Sequence, residues 1–202
     1  MANAYAASAT AGFRYIVHSV HVTNIDGLAG ANVTGQIVGG TGTYSSISFA
    51  NTIPVPAGSS VELLKAPKIL QPGDYIQMQS TADGDLHVTL TIEQSSNTKF
   101  FGAGVDVTTS ETYTTLYTMT ANSVIESVLL SNDDPANDLK ARVVWTNAAD
   151  AIQGYFAYDM IVPSQATVEV IEKPKFIQNG FKVRVYSNVN DRLEAIIAGK
   201  TI

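Results

Sequence analysis

Short stretches with a period of two, separated by turn residues, follow one another from residue 13 onward. Phe13 to Thr23, FRYIVHSVHVT, places Phe13, Tyr15, Val17, Ser19, His21 and Thr23 on one side and Ile16, His18, Val20 and Val22 mostly on the other. A period of two with β-branched enrichment predicts a strand. Further strands are expected at Val33 to Val38, near Tyr44 to Phe49, at Ser60 to Lys65, Tyr75 to Ser80 and Leu86 to Glu93. The same order returns near Tyr113 to Thr118, Val124 to Leu130, Leu139 to Trp145, Tyr155 to Met160, Thr167 to Ile171, Lys182 to Tyr186 and Leu193 to Ile197. No stretch keeps a helical period with caps.

The recurrence is an internal duplication. Shifting Val61–Leu90 by 107 places onto Val168–Ile197 leaves 8 of 30 positions identical without a gap, among them Glu62/Glu169, Pro67/Pro174, Lys68/Lys175 and Gly73/Gly180. Roughly two identities would arise by chance. Pro56 and Pro163 share that offset, whereas Ser19, Asn24 and Asp26 meet Ser127, Asn132 and Asp134 at 108, as do Tyr5 and Tyr113. One residue therefore separates the copies, a change that loops tolerate and strands do not. About seven short strands per copy, punctuated by turn residues, predict an all-β chain of two tandem antiparallel β-sandwiches, Ig-like or jelly-roll-like. The expected division is 1–96 for copy one, 97–110 for a linker and 111–202 for copy two.

Turn chemistry supports this. Gln71-Pro72-Gly73-Asp74 suits a type II turn, and Asn179-Gly180 a tight hairpin. Different residues thus serve one backbone need, which marks a shared turn, not a binding motif. Pro54, Pro56 and Gly58 are expected to interrupt the strand pattern.

Composition narrows the function classes. Net charge is −6, with 4 basic and 7 acidic residues up to Asp106 and 8 and 11 beyond it, so neither half has the basic surface that phosphate binding needs. The absence of cysteine removes disulfides, thiolate metal sites and a cysteine nucleophile together. The leader MANAYAASATAGF has no basic n-region, and no window is long and apolar enough for a membrane span. A soluble protein assembled in a cytoplasm is expected, with no nucleic-acid or membrane partner.

No catalytic or metal motif emerges. On a regular strand His18 and His21 point to opposite faces, the wrong geometry for one metal, and His87 aligns with Glu194. Asp133, Asp134 and Asp138 lack the spacing of a calcium loop and read better as a solvated turn. Val38-Gly39-Gly40-Thr41-Gly42-Thr43 lacks the phosphate-loop lysine, and no serine lies in a nucleophile elbow. Trp145, the one tryptophan, reads as core in preference to a sugar platform. No cofactor, metal or catalytic residue is expected. Small-residue segments with isolated aromatics remain, at the N-terminus with Tyr5 and Phe13 and in the linker with Phe100 and Phe101. They are read either as a disordered terminus and flexible joint or as arms that order against a neighbouring subunit.

The repeated grammar is similar to a known one. Tyr113 to Thr118, Ser127 to Asn132, Val162-Pro163 and Glu169 with Lys173-Pro174, and more strongly Ser19 to Asn24, Val55-Pro56-Ala57-Gly58 and Leu70-Gln71-Pro72-Gly73-Asp74-Tyr75-Ile76, resemble a β-sandwich unit common in virion structural proteins of tailed bacteriophages. Copy two departs from it, with Phe181 where copy one has Asp74 and Thr120 or Ala121 where an early proline is usual. The resemblance implies a non-enzymatic virion component assembled in the bacterial host cytoplasm, foremost a capsid decoration or cement protein that stabilises the head. Its partners would be major capsid or other virion proteins and further copies of itself. A head-to-tail neck, tail or fibre component, or a tail-borne carbohydrate-binding module, are the alternatives.

Overall fold

A computed structural model describes residues 1–9, 12–40, 46–96 and 99–202. Its strands are β1 (Ala2–Ala6), β2 (Arg14–Asn24), β3 (Ala31–Val38), β4 (Ser46–Val55), β5 (Ser60–Glu62), β6 (Lys68–Leu70), β7 (Tyr75–Ser80), β8 (Leu86–Ser95), β9 (Phe100–Val107), β10 (Thr114–Thr118), β11 (Ser123–Asn132), β12 (Leu139–Thr146), β13 (Ile152–Val162), β14 (Thr167–Glu169), β15 (Lys175–Ile177), β16 (Lys182–Ser187) and β17 (Leu193–Thr201). All pairings are antiparallel. The all-β sandwich expectation holds. Tyr44 and the Val38-to-Thr43 loop beyond Gly40 lie outside the described residues.

In copy one a sheet in the order β1-β7-β3-β4 faces a second in which β2 pairs with β5 and β6 along one edge and with β8 along the other. Val17, Val20, Val22 and Leu70 from the second sheet meet Val33, Ile37, Ile47 and Ile76 from the first, and these side chains form the core. Copy two repeats this with β10-β16-β12-β13 against β11, which pairs with β14 and β15 on one side and β17 on the other. Ile125, Val128, Leu130, Val143, Val183, Val185 and Ile197 fill its core.

Shared irregularities confirm the duplication at backbone level. The β2/β8 register breaks between Val17 and Ser19, and the β11/β17 register between Ile125 and Ser127. Thr52 and Asp159, which occupy equivalent places, both have positive φ, 51° and 47°. Gly73 and Gly180, at 90° and 79°, turn the chain in the region that only glycine enters without a Cβ penalty.

Four expectations are corrected. First, Tyr5 matches Tyr117, not Tyr113. Ala2–Ala6 on β7 repeats Thr114–Thr118 on β16 residue for residue, including a break before each tyrosine. The copies' first connections differ in length, so one sequence offset cannot span both. Second, the expected linker 97–110 contains β9, which pairs with β17 from Phe100 to Val107. Third, the extra residue at the β2 bulge reverses the strand's parity. His18 and His21 therefore share the outer face: His18 Nε2 lies 3.0 Å from Glu93, and His21 Nδ1 lies 3.9 Å from Glu62. Fourth, β4 runs through Pro54 to Val55, because an edge strand needs no donor on its open side.

Candidate interaction site

The repeated identities are structural fasteners. Asn24 Nδ2 donates to the Ala29 and Val55 carbonyls at 2.9 and 3.0 Å, and its Oδ1 accepts from the Asp26 N–H at 2.9 Å. Asn132 makes the same bonds to Asn137, Val162 and Asp134 at 2.9, 3.0 and 2.9 Å. Glu62 accepts from Ser19 Oγ and from the Val20 N–H at 2.8 Å, and Glu169 from Ser127 Oγ and from the Val128 N–H at 2.8 Å. Asp134, the best placed of the three candidate calcium aspartates, is spent capping the Ala136 and Asn137 N–H groups. Those bonds hold its carboxyl below the usual range.

The fasteners differ in one respect. Lys68 of copy one is 1% exposed, and its Nζ reaches across to Ser127 Oγ and to Glu169 Oε2 at 2.8 Å. Burial pulls its pKa down and the Glu169 carboxylate opposes that. Around this pair Leu129 and Ile196 pack into the core of copy one, and Ile16 and Ile69 meet Ala198 and Phe100. Gln71 Nε2 donates to the Gly102 carbonyl at 2.8 Å, Thr167 Oγ1 to the Phe49 carbonyl at 3.2 Å, and the Ser48 N–H to Glu194 at 2.9 Å. The two sandwiches thus share an apolar seam. A cleft of about 40 Å³ remains beside Lys68 and Glu169, too small for more than water.

The expected interface aromatics do not form one patch. Phe101 is in the core of copy two, stacked on Tyr117 at 4.4 Å between ring centroids. Phe100 is half-buried in the seam, while Tyr5 lies 6.1 Å from Tyr15 and, with Phe13, packs on the core of copy one. These four rings are engaged within the chain. Trp145 rests on the core with Phe156 at 4.9 Å, and a Cβ at Gly154 would overlap its indole.

The aromatic surface lies elsewhere, on the outer face of the β10-β16-β12-β13 sheet. Arg142 is sandwiched between Tyr158 and Tyr186, 4.5 and 4.7 Å from their centroids, and its Nε donates to Asp159 at 2.6 Å. Tyr155 stands edge-on to Tyr158 at 5.0 Å; Tyr158 is 60% exposed and Ile161 58%. Arg184 donates to the Tyr113 carbonyl and pairs with Asp150. Copy one has Thr34, Asn51, Gln77, Gln79 and Ser48 at the places of Arg142, Tyr158, Arg184, Tyr186 and Tyr155. Rigid aromatics bracketing an arginine are the composition of protein-interface hot spots. Setting one copy against the other column by column would have found this face from sequence; reading each strand alone does not.

Among the described residues no three acidic or histidine side chains stand close enough to hold a metal ion. No helix of the described chain is long and apolar enough to cross a membrane.

No protein-family model and no curated protein matches the sequence. Solved structures that align with the chain include proteins of virus particles. The STIV MCP aligns at 9% identity and a TM-score of 0.34 over 98% of this chain and 94% of that one. The T13 IBDV viral particle aligns at 10% and 0.30 over 94% and 56%, and the infectious bursal disease virus VP2 subviral particle at 9% and 0.29 over 94% and 58%. The chain spans little more than half the length of the latter two. At identities near 10% and TM-scores below 0.5, no residue role passes from them to this chain.

Proposed function

We propose that the chain is a non-enzymatic structural component of a virus particle, and within that class a capsid decoration protein of a tailed bacteriophage. The observation that carries this reading is the Tyr113–Arg142–Tyr158–Tyr186 face on one copy of a fused pair, set against an amide- and hydroxyl-lined face on the other. The adhesive face attaches the body to a virion protein, and the polar face suits solvent. Attachment needs only buried aromatic and arginine contacts, each residue contributing about 2 kcal/mol or more at the centre of such a patch.

Quantitative mass spectrometry of purified virions tests the reading. The chain should be present at hundreds of copies per particle, and Arg142→Ala with Tyr158→Ala should reduce incorporation at least tenfold without changing the fold. About a dozen copies would favour a neck, tail or fibre part, and absence from particles would refute a virion role. The exposed Tyr155–Tyr158 pair also fits a sugar-stacking platform on a tail. Glycan binding lost in Tyr158→Ala would support that second reading.

A further inference from the structure

The edge of β17 in copy two is closed by β9, which lays Phe101, Ala103, Val105 and Val107 opposite Gly199, Ile197, Ala195 and Leu193. Under that cover Leu193 is 1% exposed and Ala195 and Ile197 are 0% exposed. The equivalent strand of copy one, β8, has no such cover. It pairs with β2 alone, and among the described residues no strand occupies its outer edge. Leu86, Val88, Leu90 and Ile92, counterparts of that buried row, are left half-buried. A cleft of about 160 Å³ opens beside them, lined by Val33, Met78, Ser80, Leu86 and Val88.

Natural sheets blunt a bare edge of this length with lysine, proline or a bulge. Leu86–Ser95 reads LHVTLTIEQS, ten residues with no lysine, proline or glycine, and the local bulge belongs to β2. Among the described residues no strand takes up the outward backbone groups of the stretch from Leu86 to Glu93, which can therefore pair with another chain. The strand is also complementary to itself. An antiparallel pairing centred on Leu90 sets His87 against Glu93 of a second copy, Thr89 against Thr91 and Val88 against Ile92, with Leu90 on the axis. An imidazole thus faces a carboxylate, hydroxyls face hydroxyls, and apolar faces apolar, the cross-strand combinations that favour pairing. The same register puts Val88, Leu90 and Ile92 of the second copy where Ala103 and its neighbours sit on copy two.

We infer that β8 is a self-association edge: two copies of this chain join antiparallel through β8, about a two-fold axis at Leu90, into one continuous sheet. The contact is isologous, so it closes on itself and leaves the tyrosine–arginine face of both copies open.

Sedimentation of the purified chain tests the inference, and virion location does not enter. Thr89 and Thr91 are exposed, so charging them leaves the sandwich intact. The wild-type chain should form a concentration-dependent dimer. Thr89→Lys/Thr91→Lys and Thr89→Glu/Thr91→Glu should each be monomeric, at least a tenfold weakening, and an equimolar mixture of the two should recover a heterodimer. A wild-type chain that stays monomeric at millimolar concentration, a dimer untouched by both variants, or a mixture without heterodimer would overturn it.

Discussion

The outer faces of β2/β8 and β11/β17 have one backbone and opposite chemistry. On copy two the outward row is Ser127, Leu129, Glu194, Ile196 and Ala198, and all five are covered by copy one. On copy one the same places hold Ser19, His21, His87, Thr89 and Thr91, which face solvent. The bulge residues carry a cross-strand pair in both copies, with the carboxylate on the opposite strand in each: His18 with Glu93, Glu126 with Lys200. Duplication kept the fasteners, and each face then took the chemistry of its cover. The positions at which the copies disagree therefore report contacts more directly than those at which they agree.

Lys68 and Lys175 give the sharpest form of this contrast. They are aligned and identical, yet one is buried against Glu169 and the other is exposed beside Phe176, itself 54% exposed. Lys68→Met should strand the Glu169 carboxylate in the seam and lower unfolding free energy by about 3–5 kcal/mol in chemical denaturation. Lys175→Met should change it by less than about 0.5 kcal/mol. Equal effects would mean that the seam is not occupied in solution.

Next in size, Ile196→Ala removes apolar packing from the seam and should cost about 2–5 kcal/mol, while Thr89→Ala at the matching place should be near neutral. Asn24→Ala and Asn132→Ala should cost the same as each other, about 1–3 kcal/mol, because each removes the side-chain hydrogen bond to one buried carbonyl, Val55 or Val162, and to one part-buried carbonyl. A large difference between them would show that the two clamps are not equivalent.

Glu194 is pushed up to about 7, chiefly by burial, with Asp106 and Asp133 adding to the effect. Between its ordinary value of 4.5 and about 7 the folded chain holds a proton that the unfolded chain has released. Stability from this group is therefore present below pH 4.5 and lost as pH rises through 7. Glu194→Gln should flatten that window, raising stability above pH 7 by on the order of a few kcal/mol at most and leaving it little changed near pH 4. Urea unfolding at pH 4, 6 and 8 measures it. A variant less stable than wild type at pH 8 would contradict the assignment.

Much of the fold was legible because alternation, turn residues and the repeat all pointed to the same strands. The misses have physical causes. Three-residue strands such as Lys68–Leu70 are too short to show a period, and Ala2–Ala6 has a single β-favouring residue, Tyr5, among small residues that carry no β signal. The parity of His18 and His21 was hidden by a bulge, which leaves no mark in composition. Phe100 and Phe101 were visible as apolar residues in need of cover, but whether that cover was a neighbour or the chain itself depended on β9 finding β17, a long-range pairing. The tyrosine–arginine face was missed because Tyr155, Tyr158 and Tyr186 fit a strand equally well buried or bare.

Cryo-electron microscopy of the intact particle should show both sandwiches docked as one body, with Arg142, Tyr158 and Tyr186 buried against a neighbouring virion protein and Gln36, Gln77 and Gln79 facing solvent. A particle without the chain, or one in which the tyrosine–arginine face is bare and the glutamine face is buried, would contradict the proposed role.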